Sequence, residues 1–305
     1  MDLDRLTDPV EKYEAMTAVA KVADEGGWDS IWLFDHFYTV PEPKLEATFE
    51  CWTATATLAR DTSWVKIGQM VGCNGYRNPA LYAKIASTVD VASHGRLFAG
   101  IGAGWHEHEW KAYGYEWPEV PERMGRFREA VQIIHKMWTE DYPEFEGKYY
   151  RIDKPINEPK GVQKPHIPIL IGGGGEKVTL RLVAQYGDAC DVGGGKPDVA
   201  KAKLDVLARH CENEGRDYSE IVKSTSMNIY LLADGEDPKQ APVPPGRTRE
   251  EFEEQFLIGT ADQISDRMEQ LMAVGIEYVV AYLPHVAYDH RQIRQFAEEI
   301  IPRFA

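Results

Sequence analysis

Short apolar runs separated by helix-forming segments constrain the fold of this chain more than any other feature. The runs are too short for helices and cover residues 30–36, 65–71, 96–102, 167–175, 189–195, 221–232 and 276–284. Apolar residues at helical spacing mark the segments between several of them, as in the segment that contains Met124, Phe127 and Val131. This alternation predicts an α/β fold, a (β/α)8 TIM barrel whose site lies at the carboxyl ends of the strands. An open doubly wound sheet is the alternative.

A barrel of this type needs an eighth strand, and nothing before Asp8 resembles one. Either the first strand lies upstream of Met1, which we favour, or residues 1–7 contribute a stub, or the sheet is not a closed barrel. Two segments interrupt the repeating pattern: a proline-dotted insertion at 140–166, with a hairpin predicted over 144–152, and a loop at 234–250. We expect a single domain over residues 1–305 that contains both.

The charge balance and the cysteine spacing exclude several classes of function. The 34 basic and 49 acidic residues give a net charge of −15, which repels a phosphate backbone and disfavours a nucleic-acid partner. The four cysteines lack the paired spacing of zinc or thioredoxin-type motifs. Neither a signal peptide nor an apolar run long enough to cross a membrane is present. We therefore expect a soluble cytoplasmic protein that acts on a small molecule.

The stretch "GRLFAGIGAGWHEHEW" combines a strand, three alternating glycines and a polar segment. Gly100, Gly102 and Gly104 lack the spacing of a dinucleotide-binding loop, and no clear helical pattern follows them. Alternating glycines clear side chains from one face of a strand end, where a flat ring or a phosphate can approach the backbone. Packing of that strand end beneath a neighbouring loop explains the same glycines equally well.

His106 and His108 have the His-x-His spacing of some metal sites, but the other strand ends lack further ligands. Only His285, after the last strand, could add one. We therefore expect no metal, and we interpret His108 as a histidine that faces solvent.

Two later glycine runs indicate a phosphate-bearing ligand. The segment "IGGGGEKVTL" places four glycines between a strand and a helix, where free backbone N–H groups form an anion site. The segment "DVGGGKPD" repeats the arrangement at the next strand end and adds Lys196. Each run alone could be a tight turn, but two on adjacent strand ends favour phosphate binding.

Taken together, these segments resemble the bacterial luciferase-like superfamily, and within it the branch that uses the deazaflavin coenzyme F420. The resemblance covers nearly the whole chain. It rests on "GWDSIWLFDHF", "YRNPALYAKIASTVDVASHGRLFAGIGAGWHEHEWKAYG", "PERMGRFREAVQIIHKMW", "FEGKYYRI" and "KPHIPILIGGGGEKVTLRLVAQYGD". Members of the superfamily usually begin with a first barrel strand, so its absence here supports a start upstream of Met1.

The resemblance implies roles for individual residues of this sequence. It implies that the ring and ribityl chain of the coenzyme lie against Asp35, His36, Met70, Val71, Gly102, Ala103 and Gly104. A non-proline cis peptide bond of the superfamily corresponds to Met70–Val71. The coenzyme phosphate is expected at Gly172, Gly173, Gly174, Gly175 and Glu176. Lys196 corresponds to a lysine that binds substrate phosphate in the sugar-phosphate dehydrogenases of the branch.

One position departs from those dehydrogenases. Their acidic glutamate after the strand glycines is replaced by Trp105, so His106 or Glu107 could substitute, or the substrate is not a sugar phosphate. His36 is the candidate proton carrier.

The leading hypothesis is an F420-dependent oxidoreductase that moves a hydride to or from a small alcohol, carbonyl or activated alkene. The alternatives are an FMN-dependent monooxygenase supplied by a separate reductase, and a protein that binds a cofactor or phosphorylated ligand without turnover. The resemblance also implies a homodimer formed through helices near the second and third strands.

Overall fold

The computed structural model describes residues 3–40, 42–244 and 246–305. Its strands are β1 (Ser30–Leu33), β2 (Lys66–Gln69), β3 (Gly72–Cys73), β4 (Leu97–Gly102), β5 (Glu144–Glu146), β6 (Arg151–Asp153), β7 (Ile169–Gly172), β8 (Ala189–Asp191), β9 (Val222–Leu231), β10 (Phe256–Gly259) and β11 (Tyr278–Tyr282). Its α-helices are α1 (Pro9–Glu25), α2 (Cys51–Asp61), α3 (Pro79–Ala92), α4 (Glu107–Ala112), α5 (Val120–Thr139), α6 (Thr179–Tyr186), α7 (Pro197–Glu214), α8 (Arg249–Gln255), α9 (Ala261–Ala273) and α10 (Arg291–Glu299).

The main sheet is parallel, and its strands pair in the order in which the chain forms them. Pairing runs β1, β2, β4, β7, β8, β9, with β3 beside β4 and with β10 and β11 both beside β9. A doubly wound sheet reverses its strand order at a switch point, and this sheet does not. The predicted α/β class with strands in barrel order is therefore confirmed, and the doubly wound alternative is wrong.

The sheet curls around an apolar interior. One cluster of side chains takes members from β1, β4, β7, β8, β9, β11 and the segment that joins β2 to β3: Trp32, Met70, Val71, Phe98, Leu170, Ala189, Val222, Tyr278, Val280 and Tyr282. The two ends of the strand order also meet, because the Tyr278 hydroxyl of β11 donates to Ser30 Oγ of β1 at 2.6 Å. The carboxyl ends of the strands consequently surround one mouth, which is where the sequence predicted the site.

Local sequence signals fix several helix boundaries. Asp8 caps α1 by accepting from the Val10 and Glu11 amides, and Gly26 ends that helix. Thr260 and Gln263 form the predicted capping box of α9. The helices cover the outer face of the sheet, where fully buried residues of α5 such as Phe127 and Ile133 form part of the main core.

Outside the repeating strands and helices, the structure agrees with some of the predictions and differs from others. The predicted hairpin exists as antiparallel β5 and β6, whereas α8 and β10, which follow the 234–250 loop, were not predicted. Residues 3–8 contain no strand, which removes support for the stub, while Met1 and Asp2 lie outside the described residues. In the part of the chain that is described, each helix is too short or too polar to cross a membrane.

Candidate functional site at the carboxyl ends of the strands

His36 lies at the mouth of the curled sheet, three residues beyond the end of β1. The strand ends three residues earlier than predicted, and after it the backbone amides of Phe37 and Tyr38 donate to the Glu109 carboxylate. The His36 side chain is 15% exposed. It borders a cavity of about 1170 Å³, which extends between β1 and β11 and is also lined by Trp105 and Tyr38.

Asp35 points the other way, as the alternation of side chains along an extended chain requires. Its carboxylate accepts from the Cys73 amide at 2.8 Å and from Arg77 at 2.6 and 3.0 Å. Burial acts to lower the pKa of Arg77, but the hydrogen bonds and charges of Asp35 and Glu50 outweigh it and raise that pKa. Asp35 therefore joins the ends of β1 and β3, and its carboxylate is engaged by protein groups rather than open to the mouth.

Glu109, on α4, is the functional residue that sequence reasoning missed. Its side chain is fully buried and contacts His36 Nδ1 at 2.8 Å, while it accepts from the Tyr76 hydroxyl at 2.6 Å and from the Phe37 amide at 2.5 Å. Burial acts to raise the pKa of Glu109, but the hydrogen bonds from His36, Tyr76 and Phe37 outweigh it and lower that pKa. The carboxylate is thus held in its charged form directly behind His36.

The other residues of the histidine-rich stretch lie around His36 in different ways. The rings of Trp105 and His106 lie 5.6 and 5.9 Å from the His36 ring, both edge to face. Burial lowers the pKa of His106. Glu107 points outward and pairs with Lys111 at 2.5 Å, and His108 contacts the Tyr38 hydroxyl. Of the two candidates to replace the missing glutamate, the structure brings His106 to His36 and leaves Glu107 outside, while Trp105 also borders the His36 ring.

Gly102, the last residue of β4, and Gly104 just beyond it have a packing role that the sequence left open. A Cβ atom at Gly102 would lie 2.7 Å from the Val71 side chain, and one at Gly104 would lie 2.7 Å from Cys73 Sγ. Gly104 also has a positive φ of 81°. The Met70–Val71 peptide bond is cis, at the position that the resemblance indicated. These glycines therefore admit neighbouring protein side chains, and contact of Gly102, Ala103 and Gly104 with a ring remains a prediction.

The loop after β7 offers free amides next to a cation. The Gly173 amide donates to the Asp191 carbonyl at 3.3 Å, whereas the amides of Gly174 and Gly175 make no hydrogen bond to any described residue. Lys203 of α7 lies alongside, with its side-chain carbons 3.4 and 3.7 Å from a Cβ built at Gly174, and its Nζ pairs with Glu176 at 2.8 Å. Unpaired amides beside a lysine fit an anionic group such as a phosphate.

Two details of this loop differ from expectation. The glycines lie between β7 and α6 as predicted, but α6 begins only at Thr179, so a turn separates their amides from the helix N-terminus. Lys203 was not predicted, because it comes from the next helix and only the fold brings it to the glycines. The Glu176 side chain is engaged by that lysine.

The loop after β8 consists of three consecutive left-handed glycines. Gly193, Gly194 and Gly195 have φ values of 67°, 82° and 57°, which other residues rarely adopt. Lys196 follows them as the exposed N-cap residue of α7. The predicted substrate lysine is thus displayed beside the mouth.

No three His, Cys, Asp or Glu side chains of the described ranges are grouped so as to hold a metal ion. His285 instead has its Nε2 3.2 Å from the Pro242 carbonyl oxygen.

Comparison with known proteins identifies the family of this chain. The profile of the family described as luciferase-like monooxygenase matches residues 3–241. The F420-dependent glucose-6-phosphate dehydrogenase of Amycolatopsis mediterranei is 27% identical over 92% of this chain and 91% of its own. The FMNH2-dependent dimethylsulfone monooxygenase of Pseudomonas putida is 26% identical over 74% of this chain and 70% of its own.

A solved structure shares the fold over almost its whole length. An F420-dependent secondary alcohol dehydrogenase, in complex with an F420–acetone adduct, superimposes with a TM-score of 0.80 and 22% identity. The alignment covers 96% of this chain and 95% of that one. The family profile spans most of the sequence, including β1 to β9, the loops that carry His36 and the glycine runs, and helix α4 with Glu109. This chain therefore belongs to the luciferase-like monooxygenase family.

Proposed function

We propose that this protein is an oxidoreductase that uses coenzyme F420 to move a hydride to or from a small alcohol, carbonyl or activated alkene. One observation carries the proposal: a histidine at the mouth of the sheet is held through Nδ1 by a fully buried carboxylate. Relatives named as F420-dependent dehydrogenases support the choice of cofactor.

The pair of His36 and Glu109 determines how a proton can move. An ionised carboxylate only accepts hydrogen bonds, so the neutral imidazole carries its hydrogen on Nδ1 and presents a basic Nε2. During oxidation of an alcohol, Nε2 takes the hydroxyl proton, and Glu109 stabilises the positive charge that forms on the ring. During reduction of a carbonyl, the same nitrogen returns the proton to oxygen.

The glycine loops and the mouth provide a place for the cofactor. Gly174, Gly175 and Lys203 are suited to the phosphate, with Gly172, Gly173 and Glu176 around them. The ring is proposed to lie near Met70, Val71, Gly102, Ala103, Gly104 and His36, with Asp35 holding the ends of β1 and β3 behind them. When bound, F420 supplies the carbon that accepts or donates the hydride. Lys196 is proposed to contact the substrate, and Trp105 and His106 to shield the reacting atoms from water.

We propose that the protein is a cytoplasmic homodimer. Its substrate is a small molecule, and it acts neither on nucleic acid nor at a membrane. Where the reaction consumes reduced cofactor, a separate reductase supplies it. The net charge of −15 supports the absence of a nucleic-acid partner.

An FMN-dependent monooxygenase is the second candidate, and one comparison favours it. The dimethylsulfone monooxygenase matches this chain at nearly the same identity as the glucose-6-phosphate dehydrogenase. The phosphate loop is compatible with either cofactor, because both carry a phosphate on a ribityl chain.

Cofactor titration followed by turnover separates these candidates. We expect F420 to bind more tightly than FMN, and a panel of alcohols to change the absorbance of bound F420. His36→Ala should lower turnover by roughly 10² to 10⁴ and change cofactor affinity far less. Tight binding of FMN alone, with oxygen uptake, would establish the monooxygenase instead. Cofactor binding without turnover of any substrate would show that the protein binds a cofactor but is not an enzyme.

A further inference from the structure

A second carboxylate, Asp191, faces the interior of the curled sheet and has no part in the proton transfer at His36. Asp191 lies opposite Gly172 of β7 and Ser224 of β9. Residues paired in this way point to the same face of a parallel sheet. A Cβ at Gly172 would meet the interior side chain of Val71, so Asp191 also points inward.

The contacts of Asp191 do not occupy all the hydrogen-bond acceptor positions of its carboxylate. The carboxylate lies 3.1 Å from Ser226 Oγ and 3.2 Å from Ser224 Oγ, and the Ser224 hydroxyl also has the Cys190 carbonyl oxygen at 2.8 Å. An ionised carboxylate has about four acceptor positions, so at least one remains. Burial raises the pKa of Asp191 to about 6, and the group is therefore mostly ionised at neutral pH although only 7% of the residue is exposed. A charge in this position lowers stability, which suits a functional role better than a structural one.

A line of polar groups connects Asp191 to the same mouth as His36. Val280 of β11 pairs with Ser226 of β9, and Tyr282, two residues further along β11, points to the same inner face. Burial together with the Asp191 charge raises the pKa of Tyr282 to about 12. The Tyr282 ring lies 5.3 Å from that of Phe34, which in turn lies 6.4 Å from the His36 ring. His36, Phe34 and Tyr282 all border the large cavity. One aromatic ring thus separates the proton carrier from the polar line.

We propose that Tyr282, Ser226 and Asp191 form a hydroxyl-binding subsite, and that the substrate carries a second hydroxyl besides the one whose proton goes to His36. This inference rests on the proposed function for the identity of the reacting hydroxyl. The substrate class is then a diol, a polyol or the corresponding hydroxy ketone. A site that is built to bind a hydroxyl discriminates strongly against an analogue that lacks it, because its polar groups are left without a partner.

A matched pair of alcohols tests the subsite by binding as well as by turnover. Cyclohexanol and trans-1,2-cyclohexanediol differ by one hydroxyl. Each is titrated into the F420-loaded protein and followed by ligand-detected NMR, and each is then assayed for hydride transfer. We expect the diol to bind roughly tenfold more tightly, as one hydrogen bond to a charged group implies.

Variants of Asp191 and Tyr282 test whether these residues cause the preference for the diol. Asp191→Asn and Tyr282→Phe should each bring the ratio of the two affinities close to one. Asp198→Asn, an exposed carboxylate on the first turn of α7, is the control that should keep the ratio. Tyr282→Phe also serves if Asp191→Asn does not fold.

The outcomes for the subsite and for the function are distinct. Equal affinities for the two alcohols, or a preference that survives both variants, would overturn the subsite even if both alcohols are oxidised. Selective binding of the diol without any hydride transfer would support the subsite and contradict the proposed oxidoreductase.

Discussion

The contact between His36 and Glu109 determines which nitrogen of the histidine ring is basic. Replacement of Glu109 by glutamine keeps the shape but allows an amide N–H to donate to Nδ1, which favours the wrong tautomer. We predict that Glu109→Gln lowers kcat by about 10² or more, with a smaller effect on cofactor affinity. The measurement is steady-state kinetics together with nitrogen NMR shifts of the His36 ring, which report the tautomer directly.

The control for that variant is Glu116→Gln, because Glu116 is 83% exposed and lies in a surface ion pair with Arg126. If Glu109→Gln retains both the tautomer and the turnover, Glu109 only supports the fold. Partial rescue of kcat by Glu109→Asp would add to the evidence for a positioning role.

We predict that Asp191 makes the protein less stable as pH rises, because its pKa is higher in the folded state than in the unfolded state. Burial raises its folded-state pKa from 3.8 to about 6, so the folded protein binds this proton more tightly than the unfolded chain does. The resulting contribution to stability is present at low pH and is lost as pH rises through about 6. Asp191→Asn should therefore raise the free energy of unfolding at pH 8 by up to about 3 kcal/mol, and the gain should disappear near pH 4.

Urea unfolding at the two pH values measures this difference. The Asp198→Asn variant should show no comparable dependence on pH. A gain that is the same at both pH values would mean that Asp191 does not titrate between them.

Single residues of the site differed in how far the sequence could place them. The position of His36 just beyond β1 follows from the end of the apolar run, and the opposite direction of Asp35 follows from the alternation of side chains along the chain. Glu109 could not be found in this way, because 73 positions separate it from His36 and no local pattern records their contact. Its position within the histidine-rich stretch was the only signal.

At the scale of the elements, the loop after β7 and helix α7 together form the proposed phosphate site. Lys203 lies beside the free amides of Gly174 and Gly175, but Glu176 partly neutralises it. We predict that Lys203→Ala weakens F420 binding and that Glu176→Gln strengthens it, each by a few-fold to tenfold. Fluorescence titration at two salt concentrations measures both effects, and the effect of Lys203 should shrink in high salt.

Lys201→Ala is the matched control, since Lys201 lies on the same helix and pairs with the exposed Asp205. Unchanged affinity in both the Lys203 and the Glu176 variants would place the phosphate elsewhere.

The sequence predicted most strands and the capped ends of α1 and α9, because those depend on local spacing and local hydrogen bonds. It did not predict the late start of α6. There the chain leaves β7 through a turn at residues 176–178, and the position of α7 beside that turn is a tertiary contact.

At the scale of the whole molecule, the pairing order of the strands was the decisive information that the sequence lacked. Alternating strands and helices are compatible with both a barrel order and a doubly wound order. Only the observed neighbours of each strand distinguish the two.

The homodimer remains a prediction at this scale. Helices α2 and α3 adjoin the second and third strands, and α3 exposes Leu81 (52%) and Val91 (39%). We expect a dimer at micromolar concentration, and Leu81→Glu should shift it toward monomer. Sedimentation velocity measures the change, with Leu45→Glu, which alters another exposed leucine, as the control. A wild-type profile that contains only monomer would contradict the prediction.

The meeting of β1 and β11 has a consequence for solubility. In the described residues β1 pairs only with β2, and β11 only with β9, so each strand has one edge without a neighbouring strand. Open edges of this kind can template pairing with another molecule, which is a common route to aggregation. The Tyr278 hydroxyl crosses the opening to Asp29 and Ser30, and an incoming chain must break that contact before it can pair. We therefore expect Tyr278 to hinder sheet extension as well as to join the ends of its own sheet.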